Sequence, residues 1–154
     1  MKSLKAEHNI LADAHEQIEI LEHGANHDDA YRLVPFQQKL EAIGLYPLQP
    51  NALEVFQINV GKMCNQVCKH CHVDAGPDRK EIMSMETMQL CIEVLKNNPS
   101  FKTVDLTGGA PEMNPYFRWF IEEIKKVNSS IHIIVRCNLT IILANKKYNN
   151  LPEL

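Results

Sequence analysis

Long apolar runs are missing from this chain: no stretch approaches the roughly 20 residues that a membrane-spanning helix needs. An excess of one charge is missing too. Sixteen Lys and Arg stand against 19 Asp and Glu, a formal net charge of -3, and the basic residues are spread along the chain, which leaves no footprint for a nucleic-acid surface. The opening MKSLKAEHNI lacks the apolar h-region of a secretory signal. There is no internal repeat and no low-complexity tract. These absences predict a cytoplasmic protein that engages neither nucleic acid nor membrane. What is present is ordinary in bulk. A length of 154 residues suits about one domain, and 45% hydrophobic with 23% charged residues predicts a packed core.

The unusual feature is local. Of five cysteines, three fall in the string GKMCNQVCKHCHVDAGP as Cys64, Cys68 and Cys71, spaced C-x3-C-x2-C. An odd cysteine count with such clustering points, in a reducing compartment, to metal binding or catalysis before disulfides. Three ligands leave a metal centre with an open position, whereas a closed structural site uses four. Two other readings stand beside this one. Zinc could take His70 or His72 as a fourth ligand. Positions 64, 68 and 71 also fall on one face of a helix, so Val60, Cys64, Cys68, Cys71 and Ala75 could be a core stripe of small side chains. Gly61 before the run, Gly76-Pro77 after it and the polar Asn65, Gln66, Lys69, His70 and His72 within it speak against that stripe.

Residues 1–50 are expected to form a helical extension and linker. Leu4, Leu11, Ala14, Ile18 and Leu21 make a thin helical stripe. The stretch from His23 to Asp29 reads as a break, and His8, His15, His23 and His27 read as scattered surface histidines. A short second helix starts at Pro35, with Phe36, Leu40 and Ile43 on one face and Gly44 as its stop. Pro47 and Pro50 mark the linker.

Residues 51–154 are expected to form the main domain. Glu54–Val60 alternates apolar and polar residues as a strand does. The cysteine loop follows. Ser84 is placed to cap a helix whose face is Met85, Met88, Ile92 and Leu95, with Cys91 in its stripe. Lys102–Thr107 is a second strand with GGAPEMN as its exit. Asn114 and Pro115 read as the cap and first turn of a helix with the stripe Phe117, Phe120, Ile121, Ile124 and Val127. Ile131–Cys137 is a third strand, suited to full burial. Strands alternating with amphipathic helices predict an α/β fold with a parallel sheet. Three such strands do not close a barrel, so the chain is expected to be a fragment of a longer β/α protein.

In a parallel β/α sheet the loops leaving the strand ends share one face, where sites are built. The first loop carries the cysteines. The second carries Thr107, Gly108, Gly109, Ala110 and Glu112, where a glycine pair permits close backbone approach to a ligand and Glu112 could instead serve a helix N-terminus. The third carries Arg136, Cys137 and Asn138. Arg136 could anchor a carboxylate or make a structural ion pair, Cys137 reads as a buried thiol, and Asn138 offers both a donor and an acceptor.

CNQVCKHC resembles the signature of radical S-adenosylmethionine (radical-SAM) enzymes, with His70 at its aromatic position, and GGAP resembles that superfamily's Gly-Gly-Glu motif, with Ala110 in the third place. The longer strings VGKMCNQVCKHCHVDAGPDR, LTGGAPEMNPYFR and IVRCNLTIIL are similar to the radical-SAM/Cys-rich proteins of arsenosugar biosynthesis, from about Pro35 to Leu154. The resemblance implies the first half of a partial TIM barrel. It implies a [4Fe-4S] cluster on Cys64, Cys68 and Cys71, and S-adenosyl-L-methionine cleaved reductively to a 5′-deoxyadenosyl radical. In that scheme His70 lies by the adenine, Thr107, Gly108, Gly109 and Ala110 receive the methionyl amino group, any acidic role falls to Glu112, and Arg136 or Asn138 meets the ribose or carboxylate. The implied partners are a small-molecule substrate, here a methylated trivalent arsenical, an electron donor such as flavodoxin or ferredoxin, and a separate C-terminal half. A non-catalytic iron–sulfur or zinc fragment and a peptide-modifying radical-SAM enzyme are the alternatives.

Overall fold

Three short strands form the centre of the computed structural model, which describes residues 2–24, 34–144 and 146–148. They are β1 (Val55–Asn59), β2 (Thr103–Thr107) and β3 (His132–Val135), all parallel in the order β1-β2-β3. Between them run α3 (Met85–Asn97) and α4 (Phe117–Val127). Ahead of the sheet lie α1 (Ala14–Gly24) and α2 (Phe36–Ala42), and after it α5 (Thr140–Ala144). The expected α/β architecture with a parallel sheet is present. No helix among the described residues is long and apolar enough to cross a membrane.

Strand register decides which residues face the helices. Phe56, Val104 and Ile133 share one row, and Ile58, Leu106 and Val135 share the next. These rows pack with Met88, Ile92 and Leu95 of α3 and Phe117, Phe120 and Ile124 of α4 in one continuous core. Phe120, Met88, Leu106, Ile124 and Val104 are fully buried, each such side chain being worth about 1.5–3 kcal/mol. The helix α3 begins as expected, with the Ser84 hydroxyl accepting from the Thr87 amide at 3.3 Å. The alternate rows lie on the opposite face and contain Gln57, Asp105 and Ile134, then Asn59 and Thr107.

Several local expectations are corrected. The helix α4 starts at Phe117, not at Asn114. The buried Asn114 side chain instead donates to the carbonyls of Val60 and Met83 at 3.1 and 3.0 Å and accepts from the Tyr116 amide at 2.9 Å, so a short 3-10 turn, Pro111–Met113, intervenes. The strand β3 is only half covered: Ile133 and Val135 pack against the core, while Ile134, on the face opposite α3 and α4, is exposed. In the first 24 residues the single stripe is broken into two 3-10 turns and α1, and Ile18 and Leu21 are exposed. The expected break falls largely outside the described residues, as does His27. In α2, Leu40 is buried while Phe36 and Ile43 are exposed. Its end is as expected: Gly44, at φ 72°, lets the Leu45 and Gly44 amides close onto the carbonyls of Leu40 and Glu41.

Candidate metal centre at the strand ends

The cysteines lie in a stapled loop and not on a helix, which removes the core-stripe reading. Beyond β1 the Val60 amide donates to the Thr107 carbonyl at 2.9 Å. The chain then leaves the sheet and returns beside itself. Gly61 bridges Ile82, Met63 bridges Gly76, and the Lys62 amide donates to the Glu81 carbonyl at 2.7 Å. These closures leave residues 64–75 as the tip that carries Cys64, Cys68 and Cys71.

The glycine pair after β2 supports this loop. The Gly109 amide donates to the Gly61 carbonyl and the Ala110 amide to the Met63 carbonyl, both at 2.9 Å. Gly108 has φ 146°, and a Cβ there would sit 2.6 Å from the Gly61 oxygen. A Cβ on Gly109 would collide with the Met63 carbonyl. Close approach, the expected reason for these glycines, is thus made by the cysteine loop's own backbone.

The three sulfurs differ in setting. Cys64 is buried, Cys71 half-buried and Cys68 exposed, and none is in a disulfide. The Gln66 amide donates to Cys64 Sγ at 3.4 Å, and the Ala75 amide to Cys71 Sγ at 3.3 Å. Asn138 joins the site: its Nδ2 lies 3.6 Å from Cys64 Sγ and 2.8 Å from Asn65 Oδ1. Thr140 completes the link, its hydroxyl donating to Asn138 Oδ1 and accepting from Asn65 Nδ2, each at 2.9 Å. His70 and His72 are exposed. Free thiols receiving amide hydrogen bonds suit iron–sulfur ligation by donor chemistry. Among the described residues, however, no group of three or more His, Cys, Asp or Glu side chains is gathered closely enough to hold a metal ion.

Arg136 and Glu112 have settings of their own. Arg136 Nε and Nη2 grip the Asp105 carboxylate at 2.7–3.1 Å across β2 and β3, and Gln57 Nε2 donates to the same group at 3.1 Å. The guanidinium holds the Asp105 carboxyl below its usual pKa. Of the two readings of Arg136, the structure shows the ion pair. Glu112 is buried, and its Oε2 has no hydrogen-bond partner among the described residues. It lines an apolar groove of about 550 Å³ with Cys137, Phe117, Ile121 and Val135, on the helix side of the sheet. Cys137 is half-buried, short of the burial expected of it, and desolvation first, then the neighbouring Glu112, push its thiol up to about 11.

Sequence reasoning passed over Gln57, Asp105, Asn65 and Thr140. A polar residue at the centre of VFQIN and of TVDLT was a usable signal, since register places the two side by side. Nothing local marks Asn65 or Thr140, which meet only through tertiary contact. Residues 58–152, more than half of the chain, match the model described as the Radical SAM superfamily. No curated protein matches the chain.

Proposed function

The chain belongs to the Radical SAM superfamily, and on that premise we propose that it is the cluster- and cofactor-binding core of a radical-SAM enzyme. Cys64, Cys68 and Cys71 would hold a [4Fe-4S] cluster through three irons, leaving one iron open to the amino and carboxylate groups of S-adenosyl-L-methionine. When bound, this pair supplies reductive cleavage of the sulfonium C–S bond to a 5′-deoxyadenosyl radical, chemistry that belongs to the cofactors. The observation that carries the reading is the convergence of three strand exits. The cysteine loop rests on Gly109 and Ala110 through backbone bonds, and Asn138 reaches Cys64 Sγ.

In this proposal the protein's own residues contribute as the family resemblance implies. The amides of Gln66 and Ala75 donate to the Cys64 and Cys71 sulfurs and temper their negative charge. Thr107, Gly108, Gly109 and Ala110 form the rim for the methionyl group, and His70 flanks the adenine. Asn138 orients the ribose or carboxylate. Arg136, fixed by Asp105, contributes its exposed outer edge to that rim.

The finer proposal is adenosylation of a methylated trivalent arsenical in arsenosugar biosynthesis. The similarity of VGKMCNQVCKHCHVDAGPDR, LTGGAPEMNPYFR and IVRCNLTIIL to that family supports it. A flavodoxin or ferredoxin would deliver the electron. A second reading is a non-catalytic iron–sulfur or zinc site on the same cysteines.

Anaerobic reconstitution followed by S-adenosyl-L-methionine and dithionite separates the readings. The enzyme reading expects 5′-deoxyadenosine, and an adenosylated product when a methylated trivalent arsenical is added. A bound cluster with no nucleoside release supports the second reading and rejects the first.

A further inference from the structure

The cysteine loop is gripped from outside by the first described residues, a segment that the superfamily match does not cover. Ser3 is fully buried. Its amide and hydroxyl both donate to the Asp78 carboxylate, at 3.3 and 2.7 Å. The amides of Leu4 and Lys5 donate to the two oxygens of Asp74, at 2.7 and 3.1 Å. Both acceptors lie in the return limb of the loop, within seven residues of Cys71.

Asp74 is the centre of this contact. It is buried, in the left-handed region at φ 48°. Arg79 Nη1 donates to its Oδ2 at 2.5 Å and to its carbonyl at 2.8 Å. The rest of the Arg79 fork holds Glu81 at 2.7–3.2 Å. A buried carboxylate needs such full pairing, and here backbone amides of a distant segment donate two of its three hydrogen bonds, Arg79 the third. The path from Asp74 to the ligand sulfur is short. Its amide donates to the Cys71 carbonyl at 3.1 Å, and the next amide, of Ala75, donates to Cys71 Sγ at 3.3 Å.

We propose that residues 3–5 are a clasp on the cysteine loop, and that Asp74 is the positioning residue through which the clasp fixes Cys71 and the amide bonded to its sulfur. The clasp is a property of the metal-free chain. Its consequence for a cluster rests on the reading of Cys71 as a ligand. Without the clasp, the Asp74–Ala75 turn loses its anchor, the Ala75 amide leaves the sulfur, and the tip of the loop opens while the sheet stays folded.

The test uses the full chain and two variants. Asp78→Ala removes the partner of Ser3 at an exposed position, and Asp74→Asn keeps the shape and tolerance of left-handed backbone but loses the charge. In metal-free, reduced protein, alkylation of each cysteine is followed by peptide mass spectrometry, with Cys91 in α3 as the reference for global folding. The clasp predicts that Cys71 labels about fivefold faster or more in both variants, a local opening, while Cys91 changes less than about twofold. After anaerobic reconstitution, both variants should lose iron to a chelator faster, and Asp74→Asn should shift the cluster's electron paramagnetic resonance signal through the altered sulfur hydrogen bond. Unchanged Cys71 labelling in both variants overturns the proposal. So does a rise at Cys91 equal to that at Cys71, which would make residues 3–5 part of the global fold. If the unaltered chain takes up no iron, the metal reading fails while the labelling still judges the clasp.

Discussion

Between the sheet and its two helices, stability comes from large apolar side chains: Met88, Leu106, Phe120 and Ile124 are enclosed on every side. The cysteine loop has almost none of this. Its buried apolar cluster is Cys64, Ala75 and Ala110, and its shape comes from backbone bonds across residues 61–63, 76 and 81–83, from glycines at the crossing with residues 108–110, and from the Asp74–Arg79 pair. Core packing is non-directional and tolerates exchange of similar volumes. A lattice of hydrogen bonds is directional and fails one bond at a time. Damage to the core is therefore expected to spread to the whole molecule, and damage to the loop to stay at the site.

The largest effect is expected in the core. Phe120→Ala should cost about 3–5 kcal/mol, read as a lower urea midpoint with the whole sheet lost in one step. A cost below about 1 kcal/mol would break the comparison, since the core would then not be what holds the sheet. Gly109→Ala comes next. Its Cβ meets the Met63 carbonyl, which is backbone and cannot rotate away, so about 1–3 kcal/mol of strain is expected. Its signature is local, with faster alkylation of Cys64 and little change at Cys91. Equal acceleration at both would show that loop and core are one cooperative unit.

These two regions were also unequally legible from the amino-acid order. The core was written in periodicity: the faces of α3 and α4 and the Ser84 cap could all be read from spacing, because each depends on neighbours three or four residues away. The position of the cysteine site was legible too, since strand exits share a face. Its construction was not. Gly108 and Gly109 have their partners at Gly61 and Met63, and Asp74 has its partners at Leu4 and Lys5, contacts across 46 to 70 residues that no local pattern encodes. The start of α4 was misplaced for the same reason, because Asn114 is drawn to the carbonyls of Val60 and Met83. Arg136 could be read two ways until register set it beside Asp105.

Acid is expected to have a smaller effect. Glu81 is lowered from 4.5 to about 2, chiefly by its hydrogen bonds from Arg79, and Asp105 is lowered chiefly by those from Arg136. For a carboxyl whose folded pKa is depressed, the stabilisation is complete above the unfolded value and is lost as pH falls through the folded one. The window is therefore below the ordinary carboxylate range, from about pH 4 down to about 2. Glu81 is half exposed, so its contribution is modest. Over that window pepsin should nick residues 64–82 before the fluorescence of Trp119, packed against the core, reports unfolding. Simultaneous loss of both would contradict the separation.

Everything proposed for the site depends on Cys64, Cys68 and Cys71 together holding an iron–sulfur cluster in this loop. Iron and sulfide analysis after anaerobic reconstitution, comparing the unaltered chain with Cys64→Ala, Cys68→Ala, Cys71→Ala combined, tests it most directly. About four irons and four sulfides per chain are expected in the first, with broad visible absorbance, and none in the second. Equal iron and sulfide in the combined variant, which keeps Cys91 and Cys137, would contradict it.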